Sequence, residues 1–414
     1  MAGDSPERDP GKRLLVLGAG PAQLGLLAAA RARELHVIAV DRDPSAPGFR
    51  YADRRAIVST EDESGIERLA SAERVQGLIA PGIDWPVAIA ARIAERHVLP
   101  HPIDPATAVL ATSKLRQRER FAETGVPHPR HVVCASLEEA AVAAADFGYP
   151  CVVKAPDRQG QKGLVLVRDE SLLADGFSLA LGESRSNVVL VEELIAGQEV
   201  TVNAFSVDGR FTPLTITDRW VAEPPAFGVA LSHMWPSSLA PGQVGAAVDA
   251  ARAAAAAVGV QMGPSYTQVV VGKRGAYVVE LAARLGGGHD AELCEAVLGV
   301  DLNGLAIATA LGEPVEDEQL RPVERHAAGC VWFLVSQPGE VVAVHGVEEA
   351  TAAEGVEWVR LYIEPGAVVG PLRRGSDRVG AALVVAPSRK EVEARADSVD
   401  ALVVFETTDV EAVV

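Results

Sequence analysis

Four groups of side chains carry the chemistry open to this chain. In the first, Lys154 closes the apolar run Cys151-Val152-Val153 and leads into APDRQGQKG, where Gly160 and Gly163 flank Gln161 and Lys162. A loop of backbone N–H donors wraps anionic oxygens and an ammonium neutralises them, as a triphosphate requires. With the lysine first and the glycines after, this is not a Walker loop, and an exposed hairpin tip with a snorkelling lysine fits the same letters. In the second, Val191-Glu192-Glu193-Leu194 runs through a glycine turn to Glu199. Backbone donors and acceptors beside an apolar wall suit a nucleotide base, and a carboxylate a few residues on suits a ribose diol; the alternative is a solvated strand end. In the third, Glu280 ends an apolar run, Arg284 follows four residues later, and Gly286, Gly287, Gly288 and His289 come next. A carboxylate and an arginine beside a glycine loop suit Mg²⁺-bound phosphate and developing negative charge, or simply an ion pair with each other. The fourth is the glycine turn Gly18, Gly20, Gly25 with Asp41 downstream, a broken dinucleotide fingerprint because position 23, where the third glycine belongs, is Gln23.

Elements must hold these groups in place. From Arg13, RLLVLGAGPAQLGLLAAARARELHVIAVDRDP reads as strand, turn, helix and a second strand ending at Asp41, one unit of a parallel, Rossmann-like sheet that does not bind NAD. GIERLASAERVQGLIAPG adds a helix and a strand, and the prolines from Pro86 to Pro105 close this first unit. SKLRQRERFAETG reads as a helix, VPHPRHVV as extended chain, SLEEAAVAAADFG as a helix, and PCVVKAP and GLVLV as strands. A hairpin-rich stretch reaches about residue 285, then a helix near HDAELCEAVLGV. The remainder alternates short valine-rich segments with PG, EPG and GPL turns, a small β-rich unit with one late helix around SRKEVEARADSV. The fold class is therefore α/β with α+β.

Composition removes other classes. Lys plus Arg is 38 against 56 Asp plus Glu, so the formal charge of −18 repels phosphate backbones and anionic lipid, and neither nucleic acid nor membrane is expected as a partner. With 48% hydrophobic and 23% charged residues the chain folds. Cys134, Cys151, Cys294 and Cys330 form no C-x-x-C pair and read as reduced core thiols. The polar start MAGDSPERDPGKR reads as neither signal peptide nor anchor, and no apolar stretch is long enough for a spanning helix, so a cytoplasmic location is expected.

Taken in order, the motifs resemble the ATP-grasp superfamily over nearly the whole chain. SKLRQRERFAETGVPHPRH is similar to a helix and Gly-Val-Pro-x-Pro turn of that family, PCVVKAP to its nucleotide-lysine strand, VEELIAGQE to its hinge motif and VVELAARLGGG to its metal and phosphate motif. The resemblance implies a Rossmann-like pre-ATP-grasp domain at 12–112, a two-lobed ATP-grasp domain at 113–322 with its nucleotide-binding part at about 125–195, and a small C-terminal α/β subdomain at 323–414. It implies that Lys114 and Lys154 hold ATP phosphates, that the loop with Gly160, Gln161, Lys162 and Gly163 is mobile, that Glu192, Glu193 and Leu194 line the adenine and that Glu199 binds the ribose. Glu280 would hold Mg²⁺, for which Mn²⁺ can substitute. Arg284, with Gly286, Gly287 and Gly288, would stabilise the phosphate and the intermediate. Three positions depart from the pattern: Gln268 stands where an earlier metal carboxylate is usual, Ala282 where an asparagine is frequent, and Ser113 where an aspartate is common.

Within the superfamily, PPAFGVALSHMWPSSL and the tail from Gly329 resemble the L-amino-acid ligases, which places His233 near the acyl or acceptor pocket unless it is a structural histidine. Trp220, Trp235 and Trp332 read as core residues or pocket walls. The implied activity is ATP-dependent carboxylate–amine ligation through an acyl phosphate, releasing ADP and phosphate. Its substrates would be small-molecule acids and amines, amino acids above all, and a homodimer is compatible with it. The alternatives are a carboxylase-like relative using bicarbonate and a non-catalytic nucleotide-binding protein.

Overall fold

In the computed structural model, which describes residues 11–408, the apolar run Arg13–Leu17 is a central strand buried on both faces. It lies in a four-stranded parallel sheet ordered Arg54–Ile57, His36–Asp41, Arg13–Leu17, Gly77–Ile79. A parallel sheet buries both faces of its inner strands, which is why Arg13–Leu17 and His36–Asp41 read as apolar runs, whereas the edge strand Arg54–Ile57 is largely exposed and opens with two arginines. Helices Leu24–Ala32, Glu63–Glu73 and Trp85–His97 supply the cover. Gln23, the residue that breaks the dinucleotide fingerprint, is buried in the turn, where its Nε2 donates to the Pro81 carbonyl at 2.7 Å. A Cβ on Gly18 would lie 2.8 Å from the Gln23 side chain, so the glutamine packs against the bare turn.

A second, antiparallel sheet of four strands runs His131–Cys134, Val189–Glu193, Cys151–Lys154, Leu164–Val167, with helices Leu137–Phe147 and Leu173–Glu183 packed on it. Ser136 caps the first of these helices by accepting from the Glu139 N–H, and Gly148 ends it. The third sheet has eight antiparallel strands, ordered Gly275–Ala282, Gly263–Gly272, Gly197–Val207, Arg210–Val221, Ala230–Trp235, Ala328–Leu334, Gly380–Ala386, Val356–Leu361. The tail does not stand apart as the small unit its turns suggested: its strands from Ala328, Val356 and Gly380 continue the sheet begun by the middle of the chain, with Ser232 opposite Trp332. Among the tail's described residues only Gly339–His345, Val368–Val369 and Val404–Thr408 form a sheet of their own. The tail also carries a short helix at Val347–Ala352 beside the expected one at Arg389–Leu402.

The four cysteines are buried and unpaired, as read from their spacing. Trp220 departs from the core reading: it is 55% exposed and leans on Trp332 with ring centroids 5.2 Å apart. Among the described residues no single helix is long and apolar enough to cross a membrane; Asp290–Leu298 and Leu302–Ala310 qualify only as a pair, which is bent by 119°. Every residue of the second of these two helices is buried. The polar opening segment, residues 1–10, lies outside the described residues.

Candidate functional site

Lys154 ends its strand inside the protein, not at an exposed hairpin tip. Its Nζ lies 2.7 Å from Glu192 Oε2 on the adjacent strand, and Glu192 Oε1 accepts from Arg118 Nε, also at 2.7 Å. The three groups, Lys154, Glu192 and Arg118, are 5%, 3% and 0% exposed, so Glu192 is not a solvated strand end either. Burial works to raise the Glu192 pKa, but Arg118 and Lys154 outweigh it and hold the carboxyl at about 2. Burial pushes Lys154 the other way for a cation, down to about 8, against the pull of Glu192. Two cations face one anion here, so the cluster keeps an uncompensated positive charge, and an arriving anion would relieve it.

Lys114 opens the helix Lys114–Thr124, capped by Ser113, and reaches across to Glu280 Oε1 at 2.7 Å and the Arg158 carbonyl at 2.6 Å. Burial would raise the Glu280 pKa, but Lys114 first, then Lys154 and Arg284, bring it down. Arg284 does not pair with Glu280 as their spacing allowed. Its Nε donates to Asp84 Oδ1 at 2.6 Å, its Nη2 contacts the same oxygen, and its Nη1 donates to the Leu285 carbonyl at 2.8 Å. Asp84 comes from the loop after the strand Gly77–Ile79 of the parallel sheet. Burial raises its pKa against the opposing charge of Arg284. Glu199 pairs with Arg219 at 3.1 Å, while Glu193 turns outward to Arg130, and Leu194 is half-buried beside it.

A cavity of about 400 Å³ lies next to these ion pairs, within the range of small-molecule sites. Gly160, Gln161 and Lys162 line one side; Gly160 and the nearby Gly163 have φ of +66° and +68°, where a side chain would be strained. Arg284, Gln268, His233, Gly287 and Gly288 also line it, as do Gly20 of the glycine turn and Asp41. Asp41 closes its strand as a turn residue, its two oxygens accepting from the Ala19 and Asp43 N–H groups at 3.0 Å. His233 Nδ1 donates to Asp290 Oδ1 at 2.9 Å, and the second oxygen of Asp290 is buried without a partner. The glycines after Arg284 are required by close packing: a Cβ would collide with Asp290 at Gly286, with the Gly82 carbonyl at Gly287 and with the His233 ring at Gly288. Gly286 is not among the cavity's lining residues.

The strand register puts Gln268 directly opposite Glu280. The amide oxygen and the carboxylate are hard donors, but among the described residues no three of His, Cys, Asp and Glu gather into a metal site. This pair fits a divalent cation that takes its remaining ligands from phosphate and water. Sequence reasoning missed Arg118, Asp84, Arg219 and Asp290, and also Tyr362 and Arg378, which line the cavity. Of these only Arg118 left a local signal, four residues after Lys114 on the same helix face.

Two family models match the chain. One, described as the carbamoyl-phosphate synthase L chain, ATP binding domain, matches residues 113–318; the other, described as L-amino acid ligase C-terminal domain 2, matches residues 332–408. The chain belongs to the ATP-grasp superfamily. This ATP-grasp chain is 28% identical over 377 residues to the uncharacterized protein y4rH of Sinorhizobium fredii, covering 88% of this chain and 76% of that one. It is 32% identical over 187 residues to a formate-dependent phosphoribosylglycinamide formyltransferase of Burkholderia pseudomallei, a match to 44% of this chain and about half (46%) of that protein. Among solved structures, an L-amino acid ligase from Bacillus licheniformis superposes with a TM-score of 0.81 at 21% identity, covering 97% of this chain and 100% of that one. The biotin carboxylase domain of a Hydrogenobacter thermophilus 2-oxoglutarate carboxylase, solved with MgADP and bicarbonate, gives 0.78 at 19% identity, covering 97% and 92%. The expected family, multi-layer fold and enzyme class, an ATP-grasp ligase, are borne out.

Proposed function

We propose that this protein joins a small carboxylic acid to an amine, with an amino acid as at least one partner, at the expense of ATP, releasing ADP and phosphate. The observation that carries this reading is the carboxylate of Glu280, acted on by Lys114, Lys154 and Arg284 and standing opposite Gln268, which with Arg284 lines a cavity large enough for an organic acid. A carboxylate is a poor electrophile because oxide is its leaving group. Its oxygen attacks the γ-phosphorus of ATP, the bond to the β-phosphate oxygen breaks, and ADP leaves. The amine then adds to the carbonyl of the acyl phosphate and phosphate is expelled.

Lys154 and Lys114 hold the phosphates and offset charge during transfer, which is largely a matter of positioning and electrostatics. Glu280 and Gln268 would hold Mg²⁺, or Mn²⁺ in its place; when bound, it neutralises charge on the phosphate oxygens. Arg284, swung from Asp84, faces the acyl phosphate and the tetrahedral oxyanion. His233, its Nδ1–H tied to Asp290, leaves Nε2 as the acceptor that takes the proton from the attacking amine. Residues 158–163 cover the site and keep water from the mixed anhydride. Glu192, Glu193 and Leu194 serve the base and Glu199 the ribose. In this reading 12–112, 113–322 and 323–414 act as three functional divisions of a cytoplasmic enzyme that can work as a homodimer.

The test is ADP release from Mg-ATP with arrayed amino acids and small acids, singly and in pairs, with mass spectrometry of products. The expected result is ADP release that needs a pair and gives a product of both masses less water. AMP and pyrophosphate, or ADP release driven by bicarbonate alone, would overturn it.

A further inference from the structure

The cavity holds more positive charge than the reaction above employs. Three guanidinium groups line it, from Arg219, Arg284 and Arg378. Arg284 is matched by Asp84 and Arg219 by Glu199. Arg378 has no carboxylate partner among the described residues: its Nε donates to the Gly375 carbonyl at 2.8 Å, its Nη1 to the Ala230 carbonyl at 3.2 Å, and its guanidinium lies over the Phe333 ring, 3.7 Å from the centroid. Stacking on a ring and leaning on two carbonyls fixes the plane of the group without neutralising it. Beside it, Arg219 Nε is buried with no acceptor at all. Burial lowers the Arg378 pKa, and the charge of Arg219 adds to the fall against the pull of Tyr362. Two guanidinium groups held this way, one unmatched and one with an unused donor, are a costly arrangement unless an anion arrives between them.

We propose that Arg378, with Arg219 beside it, binds a second anionic group of the substrate, a carboxylate that takes no part in bond formation. The substrate class is then an acid or an amine that carries a free carboxylate into the product. Two sources supply that chemistry: the α-carboxylate of an amino acid acting as the amine, or the distal carboxylate of a dicarboxylic acid. Arg378 follows a one-turn segment, Gly375–Asp377, whose Gly375 N–H donates to the Gly160 carbonyl at 3.4 Å. The anion is therefore seated on a segment that touches the loop beside the phosphate-binding lysines.

The proposal rests on the ligase reading, so the experiment separates the two. ADP release with Mg-ATP is measured for matched pairs, each amino acid against its carboxamide as the amine and each dicarboxylic acid against its monoamide as the acid, using the wild type, Arg378→Ala and Arg378→Lys. The wild type is expected to prefer the acid member by about 10–100-fold in kcat/KM, the range of charged hydrogen bonds. The preference should fall toward unity in Arg378→Ala and survive in part in Arg378→Lys, which keeps the charge and serves if the alanine variant does not fold. The series in which the preference appears identifies the source of the anion. Equal use of acid and amide by the wild type, or a preference untouched by Arg378→Ala, overturns the proposal. The same pairs are titrated by calorimetry with Mg-ADP present. Binding of the acid member alone, lost in Arg378→Ala, supports the subsite even where no pair releases ADP and the ligase reading fails; absence of discrimination in binding and turnover alike refutes it.

Discussion

If Lys154 waits for a phosphate, nucleotide binding must take up a proton at alkaline pH. In the free protein, burial depresses its ammonium from 10.5 to about 8, with Glu192 opposing the fall. A lysine whose folded pKa is depressed is charged below that pKa and neutral above it. A triphosphate placed against the ammonium adds the missing negative charge and raises the pKa again. Below pH 7 the lysine is charged with or without nucleotide and no proton moves. Between about pH 8 and 10.5 the free protein has lost a proton that the complex regains. If the bound value returns to the ordinary one, linkage gives an uptake of about half a proton at pH 8 and an affinity about 30-fold weaker at pH 9.5 than at pH 7. The nucleotide's own terminal phosphate titrates near 6 and leaves this window clear. Calorimetry of ATP binding at pH 8, in two buffers of different ionisation enthalpy, counts the protons directly, and repeating the titration across pH gives the affinity slope. Lys154→Met should abolish the uptake. An affinity flat from pH 7 to 9.5 in the wild type, with no proton taken up, would falsify the argument that Lys154, which shares Glu192 with Arg118, is the cation of this cluster that meets phosphate.

Two further outcomes are expected. Gln268→Glu places a second carboxylate opposite Glu280, and the concentration of Mg²⁺, or of Mn²⁺, at half-maximal ADP release should fall about tenfold, as added ligand charge tightens hard-cation sites; an unchanged requirement would remove Gln268 from the metal's surroundings. Gly288→Ala drives a methyl group into the His233 ring, which is tied to Asp290 and edged by Phe333. Amide formation should drop about a hundredfold, the cost of displacing a reacting group by roughly an ångström, and a wild-type rate would show that His233 is not needed where it stands.

Much of the fold was legible because the apolar runs have the length and punctuation of buried strands, and because glycine turns mark where they end. Lys154, Glu192 and Glu280 were legible for the same reason, each standing at or near the end of such a run. Their partners were not. Arg118 lies in a helix whose letters are mostly charged, yet it is completely buried and paired with a carboxylate 74 residues away in the chain. Asp84 meets Arg284 across 200 residues. Spacing along the chain carries information about neighbours on one element, whereas these pairings are set by how separate sheets are stacked. The three glycines after Arg284 were legible as a signal but not as a cause: they read as a loop of amide donors, and the structure explains them by the close approach of Asp290, Gly82 and His233.

The eight-stranded sheet bears on how such a protein can be altered. Because strands Ala230–Trp235 and Ala328–Leu334 are hydrogen-bonded neighbours, removing the tail would strip one strand of its partner and leave a long bare edge, a template for aggregation. The part of the molecule that carries Arg378 is thus no detachable module. Exchanging it for the tail of a relative, to change which acid or amine is accepted, would succeed only where the incoming strand matches the register of Ser232 with Trp332, so the freedom to evolve new substrates here is tied to the grammar of β-pairing as well as to the shape of the pocket.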